Sequence, residues 1–405
     1  MKKIFNKKNK LIYFDHASTT YTDKEVFKKI KPYFVDNFAN PSSIYDIARK
    51  VNGDINEARR EIAEILFTTP DTIFFTSGGT ESNNLAIFGT AYAHEKKGKH
   101  IISVRTEHEA VLKPLEKLKK QGFEIEYLPV DKTGKINLKN LQKAIRPDTI
   151  LVTIMYANNE IGTINDIAEI GKIILKHRKQ SGNNYPIFHT DACQAGTSLD
   201  LNVKKLHTDL MTLNSSKIYG PKGAGILYKD RNITIEPQIL GGHQESGLRA
   251  GTENIPAIIG MAEALKKVQK NKDRENIRLR KLRDYMWNEI ESKIKKVKLN
   301  GPELTDKDHR LVNNLNVSFL DIEGEALLLY LNEKNIVCST GSACNSLSLD
   351  ASHVLLACGI SHEEAHGSLR FTLGHCNQKS DIDYLMQYLP SIVEKLREIS
   401  PVNIK

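Results

Sequence analysis

Lys217 lies in the run Asn214-Ser-Ser-Lys-Ile-Tyr-Gly-Pro-Lys-Gly223. Small polar residues before it and a Gly-Pro-x-Gly turn after it present its amine to a pocket rather than to bulk solvent. Upstream, the apolar run Tyr185-Pro-Ile-Phe188 reads as a buried strand that delivers His189-Thr-Asp-Ala-Cys-Gln194. An acid, Asp191, at the carboxyl end of one strand and a lysine after the next suit pyridoxal phosphate. The lysine amine holds the aldehyde, and the carboxylate keeps the pyridine nitrogen protonated. Thr76-Ser-Gly-Gly-Thr-Glu-Ser82 follows a strand and opens a helix. Gly79, Thr80 and their neighbours can cradle a phosphate with backbone N–H groups at the positive end of the helix dipole. The plainer alternative is a capped helix after a tight turn.

Other candidates also have two readings. His108 ends Arg105-Thr-Glu-His; an imidazole there can lie flat on an aromatic cofactor and shuttle protons, or simply cap a helix. Asp191, Asn159 and Gln194 can be ordinary cap or turn residues. In the functional reading they hydrogen-bond the cofactor, with Asn159 near the substrate. Arg370, in the alternating Ser368-Leu-Arg-Phe-Thr-Leu373, is a charge on an apolar strand and is costly unless paired. A substrate carboxylate is a natural bidentate partner; an internal salt bridge is the alternative. Cys344 sits in Ser339-Thr-Gly-Ser-Ala-Cys-Asn-Ser-Leu-Ser348, small, polar and aperiodic, which reads as a loop. An exposed thiol there suits a nucleophile that must move. Cys338 and Cys358 read as packing, Cys193 as a small filler beside Asp191, and Cys376 has no assigned role.

These residues need a scaffold, and the pattern supplies one. Ile73–Thr76, His100–Ser103, Thr149–Met155 and Pro186–Phe188 read as buried parallel strands, short and apolar. Residues 81–97, 109–121 and 167–180 read as the helices between them. This is an α/β pattern with a mostly parallel sheet, and ligands of such sheets bind beyond the carboxyl ends of the strands. The candidate residues fall there. After Gly251 the pattern becomes a smaller α+β unit, with one or two long helices over 254–296. The expected division is an N-terminal segment, 1–20, packed on the small unit, a large cofactor-binding domain, 21–265, and a small domain, 266–405, carrying the Cys344 loop.

Bulk properties narrow the class. The chain has 405 residues, 40% hydrophobic and 26% charged, which is ordinary for a water-soluble protein of more than one domain. No apolar stretch reaches membrane-spanning length, and the basic start lacks the apolar core of a signal peptide. The net charge of +9 is spread over helix faces without aromatic interleaving, so no direct nucleic-acid partner is expected. Five cysteines, an odd number without Cys-x-x-Cys spacing, point to reduced thiols in the cytoplasm and away from structural zinc.

Taken together, the segments resemble the cysteine desulfurases, pyridoxal-phosphate enzymes of fold type I in the class V aminotransferase group. The resemblance runs from Tyr13-Phe-Asp-His-Ala-Ser-Thr-Thr20 to Ser400-Pro401 and includes Asn40-Pro-Ser-Ser43, Thr76–Ala86, Thr106-Glu-His108, Asn158-Asn-Glu-Ile-Gly162, Asp191–Gln194, Lys217–Gly223, Arg249-Ala-Gly-Thr252 and Gly341-Ser-Ala-Cys344. The long stretch around Cys344 is similar to the desulfurases that feed iron–sulfur assembly and tRNA thiolation. The resemblance implies a homodimer in which Lys217 carries the cofactor and removes the Cα proton of bound L-cysteine. It implies Asp191 at the pyridinium nitrogen, Gln194 and Asn159 at the ring oxygen, and His108 stacked on the ring. Gly79, Thr80, Asn214, Ser216 and the partner-reaching Thr252 would bind phosphate. Arg370, Asn159 and Asn40 would bind substrate. Cys344 would take the sulfur as a persulfide and pass it to an iron–sulfur scaffold or a tRNA-thiolation protein. No resident metal is implied, although Cys344 is able to ligate a shared iron–sulfur cluster transiently. A class V aminotransferase or a selenocysteine lyase would use most of the same residues. The chain departs from the family at Asn214 and Ser216, commonly Ser and His, at Ser246, commonly Arg, and at Gly374-His375, commonly Gly-Arg. It also stops at Lys405, without the longer tail that some relatives use to dock a scaffold.

Overall fold

A computed structural model describes residues 11–340 and 351–400. Cys344 lies outside the described residues. The described residues open with β1 (Ile12–Tyr13), α1 (Lys24–Ile30) and α2 (Asp46–Ile65). β2 (Ile73–Thr76), α3 (Gly79–His94), β3 (His100–Val104), α4 (Glu109–Lys120) and β4 (Glu124–Leu128) follow. Next come α5 (Leu138–Ala144), β5 (Thr149–Thr153), α6 (Ile167–Ser181), β6 (Ile187–Asp191), α7 (Val203–Leu206), β7 (Leu210–Asn214) and β8 (Gly225–Lys229). The remainder holds α8 (Ile255–Lys293), β9 (Val297–Asn300), β10 (Asn314–Phe319), α9 (Gly324–Asn332), β11 (Ile336–Val337), α10 (His353–Ala357), α11 (His362–His366), β12 (Ser368–Thr372) and α12 (Lys379–Ile399).

Among the described residues, seven strands form one sheet in the order β2-β8-β7-β6-β5-β3-β4. The pairs from β7 through to β4 are parallel. β3, β5 and β6 are buried along their whole length, which is why each has an apolar centre or start with few charges. The expected α/β class is the observed one. One detail differs: β2, expected to pair in parallel, pairs antiparallel with β8, and β8 also runs antiparallel to β7. Composition reports burial, not direction. Because β8 is reversed relative to both neighbours, β2 still points the same way as β7, and its carboxyl end meets the others at one edge.

α2 buries Ala48, Val51, Ile55, Ala58 and Ile62, spaced three and four apart, and packs that stripe against α8. α8 is one helix of 39 residues. Its first half, from Ile255 to Val268, enters the core beneath the large sheet. Its second half places Leu279, Met286 and Ile290 in a separate core. That second core is built on the antiparallel sheet β12-β10-β9 and α12, with Val317, Phe371 and Leu389 at its centre. Ile12 and Phe14 join it, and β1 pairs in parallel with β11. The segment that follows β1 thereby reaches the edge of the sheet where the candidate residues gather, with Ala17 and Ser18. Among the described residues no helix is long and apolar enough to cross a membrane.

Candidate active site

A cavity of about 300 Å³ opens beyond the carboxyl ends of the parallel strands, at the N-termini of α3 and α4. Asp191, the last residue of β6, is buried in its wall. Its carboxylate accepts from Asn83 Nδ2 at 2.7 Å and from the backbone N–H of Cys193 at 2.9 Å. Both donors hold the carboxylate in one orientation while leaving it at the cavity surface. Lys217 ends a single 3-10 turn after β7, capped by Asn214, whose Oδ1 accepts from the Ser216 N–H at 3.2 Å. The turn is tight: a side chain at Gly220 would collide with Ser215 Oγ. Lys217 Nζ donates to the carbonyl oxygens of Ala17 at 2.8 Å and Ser18 at 2.5 Å. Gln194 Nε2 donates to the same Ala17 oxygen at 3.0 Å.

Gly79 is the first residue of α3, and a Cβ there would lie 2.7 Å from Cys193 Sγ. Glycine is required by this close approach, which leaves the helix N-terminus open to the cavity beside Thr80. His108 is the N-cap of α4; its Nδ1 accepts from the Ala110 N–H at 3.0 Å. The capping role weighed from the sequence is therefore present, and the same imidazole also lines the cavity. Because Nδ1 accepts, the proton of the neutral ring sits on Nε2. Arg370 is 2% exposed, and its Nη2 donates to Asp15 Oδ1 and Ser18 Oγ, each at 2.8 Å. Nη1 donates to the Asn159 carbonyl at 3.1 Å. The internal salt bridge is thus real, and the guanidinium still lines the cavity. Its Nε is buried with no hydrogen-bond partner among the described residues. A buried, unmatched guanidinium donor is costly and suits an incoming carboxylate.

The cavity brings together Lys217, Asp191, Gln194, Asn159, His108, Gly79, Thr80, Asn214 and Arg370. Three other candidates lie elsewhere. Ser216 is half-buried and turns its Oγ to Asn214 Oδ1 at 3.3 Å. Thr252 lines a separate cavity of about 140 Å³ with Ser77 and Arg249. Asn40 is exposed and caps its own turn through Ser42 N–H.

Asn83 was not singled out from the sequence, although it sits one helical turn after Gly79, and that i,i+4 spacing on α3 is the signal that finds it. Ala17, Ser18 and Asp15 fall within the Tyr13–Thr20 segment of the resemblance, but no role was assigned to them there. Nor was one assigned to Glu107, which is fully buried and accepts the Met155 N–H through Oε1 at 2.5 Å. Burial, reinforced by the nearby Asp191 charge, pushes its carboxyl well above the usual range. His189 on β6 bridges Thr153 and Thr212, and burial lowers it to about 4, so it locks strands as a neutral ring. Cys338 and Cys358 are buried, as expected of packing residues, and desolvation raises both thiols, Cys358 to about 12.

The donor set fits pyridoxal phosphate. An oriented buried carboxylate, a lysine amine, an imidazole and a helix N-terminus kept clear by glycine converge on one small cavity, and Asn83 Oδ1 and Arg370 Nε are buried there without partners among the described residues. Comparison with known proteins agrees. The model of the class-V aminotransferase family matches residues 12–385. A cysteine desulfurase IscS of Clostridium botulinum is 47% identical over 394 residues, covering 97% of each chain. One of Methanosarcina thermophila is 49% identical, covering 98% of this chain and 95% of its own. The solved structure of a NifS-like protein superposes with a TM-score of 0.88 at 32% identity, covering 96% of this chain and all of the other. With a family match across most of its length and relatives nearly half identical end to end, this chain belongs to the class-V aminotransferase family, alongside its cysteine desulfurases.

Proposed function

We propose that the protein is a pyridoxal-phosphate-dependent cysteine desulfurase, converting L-cysteine to L-alanine and leaving the sulfur as a persulfide on Cys344. The observation that carries this is one cavity holding an amine, an oriented carboxylate and a buried guanidinium, in a chain nearly half identical to cysteine desulfurases. When bound, pyridoxal phosphate supplies a sink for the Cα electrons. Asp191, oriented by Asn83, holds a proton at the ring nitrogen. The α3 N-terminus with Gly79 and Thr80 binds the phosphate, helped by Asn214, Ser216 and Thr252 of the partner subunit. Gln194 and Asn159 donate to the ring oxygen, and His108 covers the ring face. Arg370 clamps the substrate carboxylate, with Asn159 and Asn40 at the substrate's edge. Lys217 takes the Cα proton and returns a proton to the product. Cys344, as thiolate, attacks the substrate sulfur: the S–S bond forms, the C–S bond breaks, and the electron pair and a proton end on the Cβ of alanine. Cysteine and one thiol thus become alanine and one persulfide.

The same reading gives a cytoplasmic homodimer whose persulfide passes to an iron–sulfur scaffold or a tRNA-thiolation protein. It keeps a large unit, 21–265, and a small unit, 266–405, with 1–20 packed on the latter. Cys344 is also assigned transient ligation of a shared cluster. In the test, Cys344→Ser retains the visible cofactor absorbance and forms no persulfide. A variant that makes alanine from cysteine at the wild-type rate would refute the assignment of the nucleophile.

A further inference from the structure

α10 is only five residues long, yet three contacts seat it against the segments that carry His108 and Asn159. Ser352, its N-cap, is buried and donates from Oγ to Glu160 Oε2 at 2.5 Å. His353 donates from Nε2 to the carbonyl oxygen of Glu107 at 2.9 Å. A carbonyl only accepts, so this contact fixes the imidazole proton on Nε2. Val354 and Leu355 pack with Ile161 in a small apolar cluster. Glu107 and Glu160 are the chain neighbours of His108 and Asn159, and both of the latter line the cavity. On the other side, Ser339 and Arg370 exchange backbone hydrogen bonds, Ser339 N–H to Arg370 O at 3.1 Å and Arg370 N–H to Ser339 O at 2.6 Å. Cys344 lies in the chain between these two attachments. Both are therefore bonded to residues in, or next to, the cavity wall.

We propose that His353 is a positioning residue for sulfur transfer: its bond to Glu107, together with Ser352–Glu160, fixes the downstream attachment of the Cys344 segment relative to the cavity. The proposal rests on the desulfurase reading above. Among the described residues His353 does not line the cavity, so its side chain is placed to act through Glu107 rather than on the Cα itself. Its effect is on the effective concentration of the thiol at the substrate sulfur, which depends on where the tether is held.

Two reactions of the holoenzyme separate these roles. Exchange of the Cα hydrogen of L-alanine in D2O needs Lys217 and the cofactor but no thiol. Single-turnover persulfide formation from L-cysteine needs Cys344 as well. His353→Phe keeps a ring and removes the donor; His353→Gln keeps a donor. The Phe variant slows persulfide formation about tenfold while alanine exchange stays within about twofold of wild type, and the Gln variant recovers most of the loss. In the cofactor-free protein, backbone amide exchange over residues 353–357 rises in the Phe variant and not in the Gln variant. Wild-type persulfide rates in His353→Phe, equal loss of both reactions, or unchanged amide exchange would each overturn the proposal. A wild-type protein that exchanges alanine but never yields alanine from cysteine overturns the desulfurase reading itself, and the two failures are told apart by that control.

Discussion

At the scale of single residues, the site depends on how a few buried polar groups are matched. Asn83 is 1% exposed and gives Asp191 a hydrogen bond at 2.7 Å to a charged acceptor. Such a bond is worth about 1.5–3 kcal/mol. Asn83→Ala is expected to weaken cofactor binding roughly tenfold or more by the same bond energy, read by titrating cofactor-free protein. An unchanged dissociation constant would remove Asn83 from the site. Glu107 makes a pH prediction. Its carboxyl is raised in the folded state by burial and by Asp191, so it stays protonated where the unfolded chain ionises. The unfolded state then binds fewer protons than the folded one, and stability falls as pH rises above the ordinary value of 4.5 until the folded group itself ionises. Glu107→Gln keeps an acceptor for Met155 N–H and has no charge to bury. The melting temperature of the cofactor-free variant should match wild type at low pH and exceed it increasingly toward neutrality; a pH-independent difference would contradict this. Lys217, Asp191 and Arg370, which the cavity brings together, were legible in the sequence because each is an odd residue in its local pattern. Glu107 was not, because nothing in Thr106-Glu-His108 says that the middle side chain turns into the core.

At the scale of elements, strand ends and helix starts do the positioning. β2, β5, β6 and β7 end at one edge, and α3 and α4 begin there, so backbone N–H groups, an imidazole and a carboxylate meet without long loops. Gly79 is held close to Cys193. In Gly79→Ala the new methyl would sit 2.7 Å from Cys193 Sγ, well inside contact distance. Overpacking of this kind costs about 1–3 kcal/mol, and here it falls on the proposed phosphate cradle. Cofactor affinity should drop while the cofactor-free protein keeps its secondary structure by circular dichroism; retention of wild-type affinity would show that the cradle lies elsewhere. The strand-turn-helix over residues 73–94 was readable because a short apolar run, two glycines and a helical sequence are adjacent. The antiparallel pairing of β2 was not, since strand order depends on how distant segments stack rather than on what any one contains.

At the scale of the whole molecule, α8 carries one chain through two cores, and the cavity draws on both. The surface of a single copy leaves large apolar side chains in water, among them Phe34, Phe38 and Ile44 in the stretch after α1, and Leu240 at 81% exposure. Together with a Thr252 that sits outside the main cavity, this suits the proposed homodimer, in which those groups are covered. Sedimentation of the wild-type protein should give a dimer, and Phe38→Asp with Leu240→Asp should shift it toward monomer with weaker cofactor binding; a monomeric wild type would refute the dimer. The sequence by itself determined the inventory of the chemistry and the α/β scaffold, because lysine after a strand, acid at a strand end and glycine at a helix start are short-range patterns. Only the tertiary structure decided which groups hold that chemistry in place. Lys217 bonds to Ala17 and Ser18 across 200 and 199 residues of chain, and Arg370 to Asp15 across 355. Contacts of that separation form when the cores close and bring β1 beside β11, and no local composition encodes them.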